Sequence, residues 1–236
     1  MRLPFTVYAV QDLLLFAVLW GGAAALCIAA GWWWLAPIPL ALLAFTLNFF
    51  RDPERVVPGD ERTVVSPADG TVADLSRVDH APFVEGPAVR IGIFLSVFDV
   101  HVNRMPLAGT VRCRVHKPGR YLDARDPRVG QENEAMEVGV EAVGPDGRPF
   151  RLLLRQVAGA IARRIVCPVV EGRAYARGER FGMIKYGSYT ELFLPEGAVD
   201  GWAVQKGAKV KGGATVLARL AVPTRTPAAA AARAAS

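Results

Sequence analysis

Hydrophobic and polar positions divide this chain into two unlike parts. From Leu13 to Leu35 the sequence is apolar and uncharged, and after the break at Pro37-Ile-Pro39 it stays largely apolar to Phe50. The first run is long enough to cross a bilayer core, which takes about 20 apolar residues. The second is short for a full span and reads as a tilted or re-entrant return. Trp32, Trp33 and Trp34 lie at the break, where interfacial aromatics belong. A secretory signal is the competing reading, but the run exceeds a signal core and no small-residue cleavage pattern follows it. Arg2 precedes the apolar region and Arg51 and Arg55 follow it, so both ends are expected on the cytoplasmic side of the cell (inner) membrane.

Beyond residue 62 the pattern changes to short runs rich in Val, Ile, Leu and Phe, bounded by Gly, Pro and Asp. Strands are expected at Thr71–Val78, Val89–Phe94, Thr110–His116, Ala135–Val143, Phe150–Val157, Tyr189–Leu194 and Thr215–Val222. Gly144-Pro-Asp-Gly147 and Lys211-Gly-Gly213 fit turns between them, and helical periodicity is sparse apart from a turn near Ala158–Arg164. The glycine-rich segments 66–72 and 204–216 resemble the opening strand and closing hairpin of sandwiched β-barrel modules. The expected fold is mainly β (α+β), a barrel-sandwich-like β domain preceded by an N-terminal transmembrane helical hairpin. Its expected divisions are an anchor over 1–50, a charged linker over 51–62, a β domain over 63–222 and a disordered alanine-rich tail over 223–236.

Composition narrows the classes. The 236 residues carry a formal charge of +6, dispersed without a basic stripe and interleaved aromatics, so anionic lipid is a better partner than nucleic acid. Cys27, Cys113 and Cys167 form no CxxC pair, which supports neither a disulfide framework nor a zinc or other metal site.

Four groups of residues stand out, each with a bland reading beside the functional one. Asp69, in Ser66-Pro-Ala-Asp-Gly70, is a turn residue or a carboxylate partner. His101 follows an apolar strand at a proline-bounded corner, where a histidine is either hydrogen-bonded structure or an acid–base group; His80 and His116 lack such surroundings. Arg155, Arg163 and Arg164 either pair with acids or present forks to a phosphate. Gly187-Ser188, between two β-like runs, is a turn or a serine poised to attack its own backbone.

The ordered segments Phe50-Arg-Asp-Pro-Glu-Arg55, Ser66-Pro-Ala-Asp-Gly70, Asp99-Val-His-Val-Asn-Arg-Met-Pro106, Ala158-Gly-Ala-Ile-Ala-Arg-Arg-Ile165 and Arg177-Gly-Glu-Arg-Phe-Gly-Met-Ile-Lys-Tyr-Gly-Ser188 together resemble the phosphatidylserine decarboxylase family, in its shorter bacterial and archaeal branch. The likeness runs from about residue 45 to 220. It implies a proenzyme that cuts itself at Gly187-Ser188 into β and α subunits and converts Ser188 into a covalent pyruvoyl group. That group would form a Schiff base with the serine phospholipid in the membrane and release phosphatidylethanolamine after loss of CO2. Serine supplies nucleophile and leaving oxygen, and glycine leaves the attacked carbonyl unencumbered.

By the same likeness His101, oriented by Asp69, is the candidate base for the cut; either it also serves as the acid for decarboxylation, or Arg104 only orients or stabilises an oxyanion, and Arg104, Arg163 and Arg164 are candidates for the lipid phosphate. One departure matters. Where longer members carry a second histidine, this chain has Arg104, which cannot act as a base at neutral pH. Tyr186, where short-branch members more often carry phenylalanine, is a minor change. Diacyl and isoprenoid-ether serine lipids both stay open as substrates, and an exposed strand edge near the cut would favour a homodimer. The alternatives are a membrane-tethered carrier or adaptor using Lys206, Lys209 or Lys211, and a pyridoxal enzyme using Lys185 or Lys117.

Overall fold

The structure, a computed structural model, describes residues 4–123, 126, 128–160, 164–185 and 188–221. Tyr186, Gly187, Arg163 and the expected tail over 223–236 lie outside them. Two helices form the N-terminal hairpin, α1 (Val10–Ala29) and α2 (Pro37–Phe49). Both helix ends that meet the β domain are tied down: Thr6 N–H donates to Phe50 O at 3.0 Å and Asp52 N–H to Pro4 O at 2.7 Å. Val7–Ala29 is long and apolar enough to cross a membrane, whereas Trp33–Phe49 is shorter. The first helix starts earlier than the uncharged run and takes in Asp12.

The β domain follows as β1 (Thr63–Val65), β2 (Gly70–Ala81), β3 (Gly86–Leu95), β4 (Val102–Arg104), β5 (Gly109–Lys117), β6 (Ala135–Val143) and β7 (Pro149–Ala158). It continues with β8 (Arg164–Val166), β9 (Ala174–Tyr175), β10 (Arg180–Lys185), β11 (Ser188–Pro195), β12 (Val199–Trp202), β13 (Lys209–Val210) and β14 (Val216–Leu220). A single helical turn, α3 (Val129–Glu132), precedes β6. All seven expected strands form. At the segment expected to make a helical turn, Ala158 instead ends β7 and Arg164 opens β8; the residues between them fall outside the described set.

Among the described residues the strands make one eight-stranded antiparallel sheet, β13-β2-β3-β11-β7-β6-β5-β9, and two three-stranded sheets, β1-β14-β12 and β4-β10-β8. The two glycine-rich segments meet as expected, since Lys209 and Val210 pair with Thr71 and Gly70, and Gly213 N–H donates to Ser66 O at 2.8 Å. The main core packs Ile91, Ile93 and Leu95 of β3 against Leu152 and Leu154 of β7 and Leu192 and Leu194 of β11. Strand alternation sends Tyr189, Glu191 and Phe193 to the other face, where Val129 of α3 covers Tyr189.

Both faces of β11 are therefore buried, and its polar residues need internal partners. Glu191, 1% exposed, lies between Arg90 (Nη1 to Oε1, 3.3 Å) and Arg155 (Nη1 to Oε2, 3.0 Å). Arg90 also holds Asp74, and Arg155 holds Glu137 at 2.6 Å. Arg155 is thus a structural cation. The sequence expectation of an exposed edge near the cut does not hold for β11, which is paired on both sides by β3 and β7.

Removing one partner from such a buried network leaves an uncompensated charge. Glu191→Ala is expected to lower the unfolding free energy by about 3–5 kcal/mol. Arg112→Ala, which removes an exposed ion pair with Glu141, is expected to cost less than about 1 kcal/mol. Denaturant midpoints of the two variants in the same detergent check the contrast.

Candidate active site

Ser188 is the first residue of the central strand β11, and its side chain points with Thr190, Leu192 and Leu194 into the interior. Its cross-strand neighbours are Leu95 on β3 and Ala158 on β7. Beside it runs a buried polar chain: Gln156 Nε2 donates to Asn103 Oδ1 at 2.7 Å, and Asn103 Nδ2 donates to Thr190 Oγ1 at 3.2 Å. Among the described residues Ser188 Oγ and Gln156 Oε1 are buried with no hydrogen-bond partner. An unsatisfied buried polar atom costs about 1–3 kcal/mol and needs an explanation.

His101 lies where the loop after β3 enters β4, fully buried, with its carbonyl accepting from Ile184 N–H of β10 at 3.3 Å. Its Nδ1 is 2.9 Å from Asp99 O. A carbonyl can only accept, so Nδ1 carries the proton and Nε2 the lone pair. The Phe49 ring of α2 covers the imidazole, with centroids 4.4 Å apart. Burial pushes the His101 pKa down to about 4, with the Arg51 charge adding and Asp99 opposing. The ring is uncharged at neutral pH. The loop itself is closed by Ser96 N–H donating to Asp99 Oδ2 at 2.8 Å.

Asp69 ends the loop before β2. Gly70 follows it at φ +152°, and a Cβ there would collide with the Phe94 carbonyl. The β2–β3 register sets Thr71 against Phe94, while Leu95 pairs with Ser188, so Asp69 and Ser188 share one edge of the sheet. Arg51 and Asp99 act electrostatically on both Asp69 and His101. The Asp69 carboxylate is engaged by Arg55 Nη2 at 2.8 Å and by Gly212 N–H at 2.7 Å. Burial raises its pKa against those two partners. Among the described residues no hydrogen bond joins Asp69 to His101: the guanidinium of Arg55 competes for the carboxylate, and the Asp99 carbonyl orients the ring.

The arginines separate. Arg104 is buried and committed to structure, donating to Asp52 Oδ1 and Pro53 O at 2.9 Å and to Gly178 O at 3.2 Å. Arg180 holds the other oxygen of Asp52 at 2.6 Å. Arg104 is therefore a clamp on the segment after α2, which corrects the expectation of a lipid-phosphate ligand. Arg164 is exposed on β8, opposite Lys185 in register, and Arg163 lies outside the described residues. His80 and His116 are exposed as expected, His116 contacting Glu134 at 2.9 Å.

Sequence reasoning missed Asp52, Arg55, Asn103, Gln156, Thr190 and Phe49. The legible signal was a polar residue at an inward position of an apolar strand, Gln156 after Leu152-Leu-Leu154 and Thr190 before Leu192. Asp52 and Arg55 carried no such signal, because a proline-punctuated charged segment looks like a solvated linker. On the outer face of β11, Tyr189, Glu191, Arg90 and Lys206 help line a cleft of about 480 Å³.

A hydroxyl without a partner and an uncharged histidine with a lone pair are the two parts of a base-assisted nucleophile. The sequence profile described as phosphatidylserine decarboxylase matches residues 42–218. The phosphatidylserine decarboxylase proenzyme of Chlorobium phaeovibrioides is 40% identical over 220 residues, covering 92% of this chain and 97% of that protein. Those of Carboxydothermus hydrogenoformans (43% over 180 residues, 76% and 81% covered) and Erythrobacter litoralis (45% over 195 residues, 77% and 76% covered) are similar in extent. With a profile match across most of its length and relatives of this identity along three quarters or more of their own chains, this chain belongs to the phosphatidylserine decarboxylase family.

Proposed function

We propose that this protein decarboxylates phosphatidylserine to phosphatidylethanolamine at a membrane surface, with a pyruvoyl group that it makes from Ser188 by cutting its own Gly187–Ser188 bond. The observation that carries this reading is the buried, unpartnered Ser188 Oγ at the first residue of a central strand. The relatives' description as proenzymes fits a processed product. The cut would divide the chain into an N-terminal β subunit, with the hairpin anchor over 1–50 and the segment 51–62, and a C-terminal α subunit beginning at Ser188.

In the proposed cut, Ser188 Oγ bonds to the Gly187 carbonyl carbon while its proton passes to His101 Nε2. The Gly187–Ser188 C–N bond then breaks and the amine takes a proton, leaving an ester. Removal of the Ser188 α-proton expels the Gly187 carboxylate, and water hydrolyses the resulting dehydroalanine with loss of ammonia. The residues present suit that product. Serine supplies its three carbons, β3 and β7 hold the new terminus by main-chain pairing, and Asn103 and Gln156 offer the polar groups beside it. When formed, the pyruvoyl group supplies the electron sink for the carbanion left by CO2.

Asp69 is kept in the proposed site as the carboxylate at the same sheet edge; direct contact with His101 requires its side chain to turn from Arg55. Arg164, exposed and paired in register with Lys185, is kept as a candidate for the lipid phosphate, with Arg163 beside it in sequence. The apolar helix Val7–Ala29 is the proposed anchor, and the cationic flanks support a β domain on the cytoplasmic side of the inner membrane. Such an anchor keeps the enzyme where its headgroup substrate lies.

Ser188→Ala is expected to remain one uncut, inactive chain, whereas the unaltered chain gives two fragments split at 187/188 with the C-terminal one blocked. Intact-mass measurement separates them, and a full-length chain that still decarboxylates would sink the mechanism.

The pH dependence of the cut tests His101. Its pKa lies below the ordinary histidine value because of burial, so the lone pair is present well below pH 6.5. The cutting rate is expected to be flat from pH 8 to 6 and to fall by half near pH 4. Folding linkage has the same sign: between pH 6.5 and about 4 the unfolded chain takes the proton first, so stability falls as pH falls. Circular dichroism at each pH keeps the two apart, and a half-point near 6.5 in a folded chain contradicts a buried base.

A further inference from the structure

The membrane-length helix carries one charged residue. Across Val7–Ala29 that residue is Asp12, in the first turn of α1. An ionisable group in such a segment is costly and points to a partner with a function. The helix N-terminus favours a carboxylate there, but the structure supplies a more specific reason. Lys185 Nζ donates to Asp12 Oδ2 at 2.6 Å, and the lysine side chain is 5% exposed. A buried ammonium needs such a counter-ion.

Lys185 is the last residue of β10, two positions before Gly187. On the same side of β10, Met183 is buried in the hairpin cluster with Ala9, Phe49 and Phe50, against Leu13 and Phe16. The end of β10 is thus docked on the hairpin by one apolar and one ionic contact. On the other side of the cut, Ser188 is fixed by pairing to Leu95 and Ala158. Only Tyr186 and Gly187 connect the two fixed points. Three trans peptide units of about 3.8 Å each join Lys185 to Ser188, so the position of Lys185 limits where the Gly187 carbonyl can sit.

We propose that Asp12 is a positioning residue for self-cleavage: through Lys185 it holds the carbonyl side of the Gly187–Ser188 bond against the Ser188 hydroxyl, so that the cut depends on the hairpin being seated. This rests on the self-cleavage reading above. Misplacement of reacting groups by about 1 Å costs on the order of a hundredfold in rate, so loss of the pair should be visible in the cutting rate alone.

The test follows the appearance of cut chain by intact mass, in full-length protein in detergent and well below its thermal midpoint. Asp12→Asn is expected to slow the cut by about tenfold or more, and Asp12→Glu to restore most of the rate. Asp12→Asn with Lys185→Met removes both charges, so it avoids a buried unpaired ammonium; it should fold and still cut slowly. A role limited to stability would lower the thermal midpoint but leave that rate unchanged. The inference is overturned if either Asn-containing variant is cut at the unaltered rate, or if Asp12→Glu is no faster than Asp12→Asn. An unaltered chain that stays uncut instead refutes the self-cleavage reading.

Discussion

The pairing of β11 with β3 on one side and β7 on the other is the constraint from which the rest follows. A chain that breaks at the first residue of this strand loses one covalent bond but no rung of either ladder. The C-terminal part is interleaved with the N-terminal part at two further places, β13 on β2 and β14 on β1. Glu191, held between Arg90 and Arg155, fixes the strand from its outer face. These contacts join residues distant in sequence, so they remain when the backbone is opened at 187/188. A cut within a long sheet is tolerable because the sheet, rather than the chain, carries the connection.

The N-terminal hairpin is part of the same structure as the β domain rather than an appendage to it. Asp52, fully buried between Arg104 and Arg180, fastens the segment leaving α2 to β4 and β10. Arg51 adds a second tie by donating to Asn48 O at the end of α2 and to Phe98 O in the loop before His101. Phe49 then lies over the imidazole. The proposed base owes its depressed pKa chiefly to burial, and a residue of the hairpin supplies part of that burial. Seating the anchor and tuning the histidine are consequently one packing event.

How much of this was legible in the sequence depended on whether the signal was local. The long strands were, because alternation and turn residues act within a few positions; β6 begins and ends where the pattern placed it. The two- and three-residue strands β1, β4, β8, β9 and β13 were not, since each exists only through a distant partner. Ser188, His101 and Asp69 could be nominated from motif and residue chemistry. Their contacts could not, because the Arg55 guanidinium that takes Asp69 and the Asp99 carbonyl that orients His101 are set by how loops fold back. The charged run Arg51–Arg55 misled most: it looks like a solvated spacer, yet Asp52 finds one buried and one half-buried cation and becomes the deepest acid of the strap.

The unpartnered hydroxyl of Ser188 is itself a product of register. Its cross-strand neighbours are Leu95 and Ala158, neither of which has a polar side chain to offer. The nearest amide in the strand pattern, Gln156, pairs with Thr190 instead and commits its N–H to Asn103, which in turn donates to Thr190. That chain of donors ends on Thr190, two residues along the strand from the serine. A one-residue slip would flip β11's side chains to the opposite face, whereas a two-residue slip would keep the face and set Gln156 opposite Ser188, where it could quench the hydroxyl by hydrogen bonding. Thr190, two residues along the same face, has what Ser188 lacks, a donor from Asn103. The difference between an engaged hydroxyl and an unengaged one on this strand is therefore two positions of sheet register, held by apolar contacts.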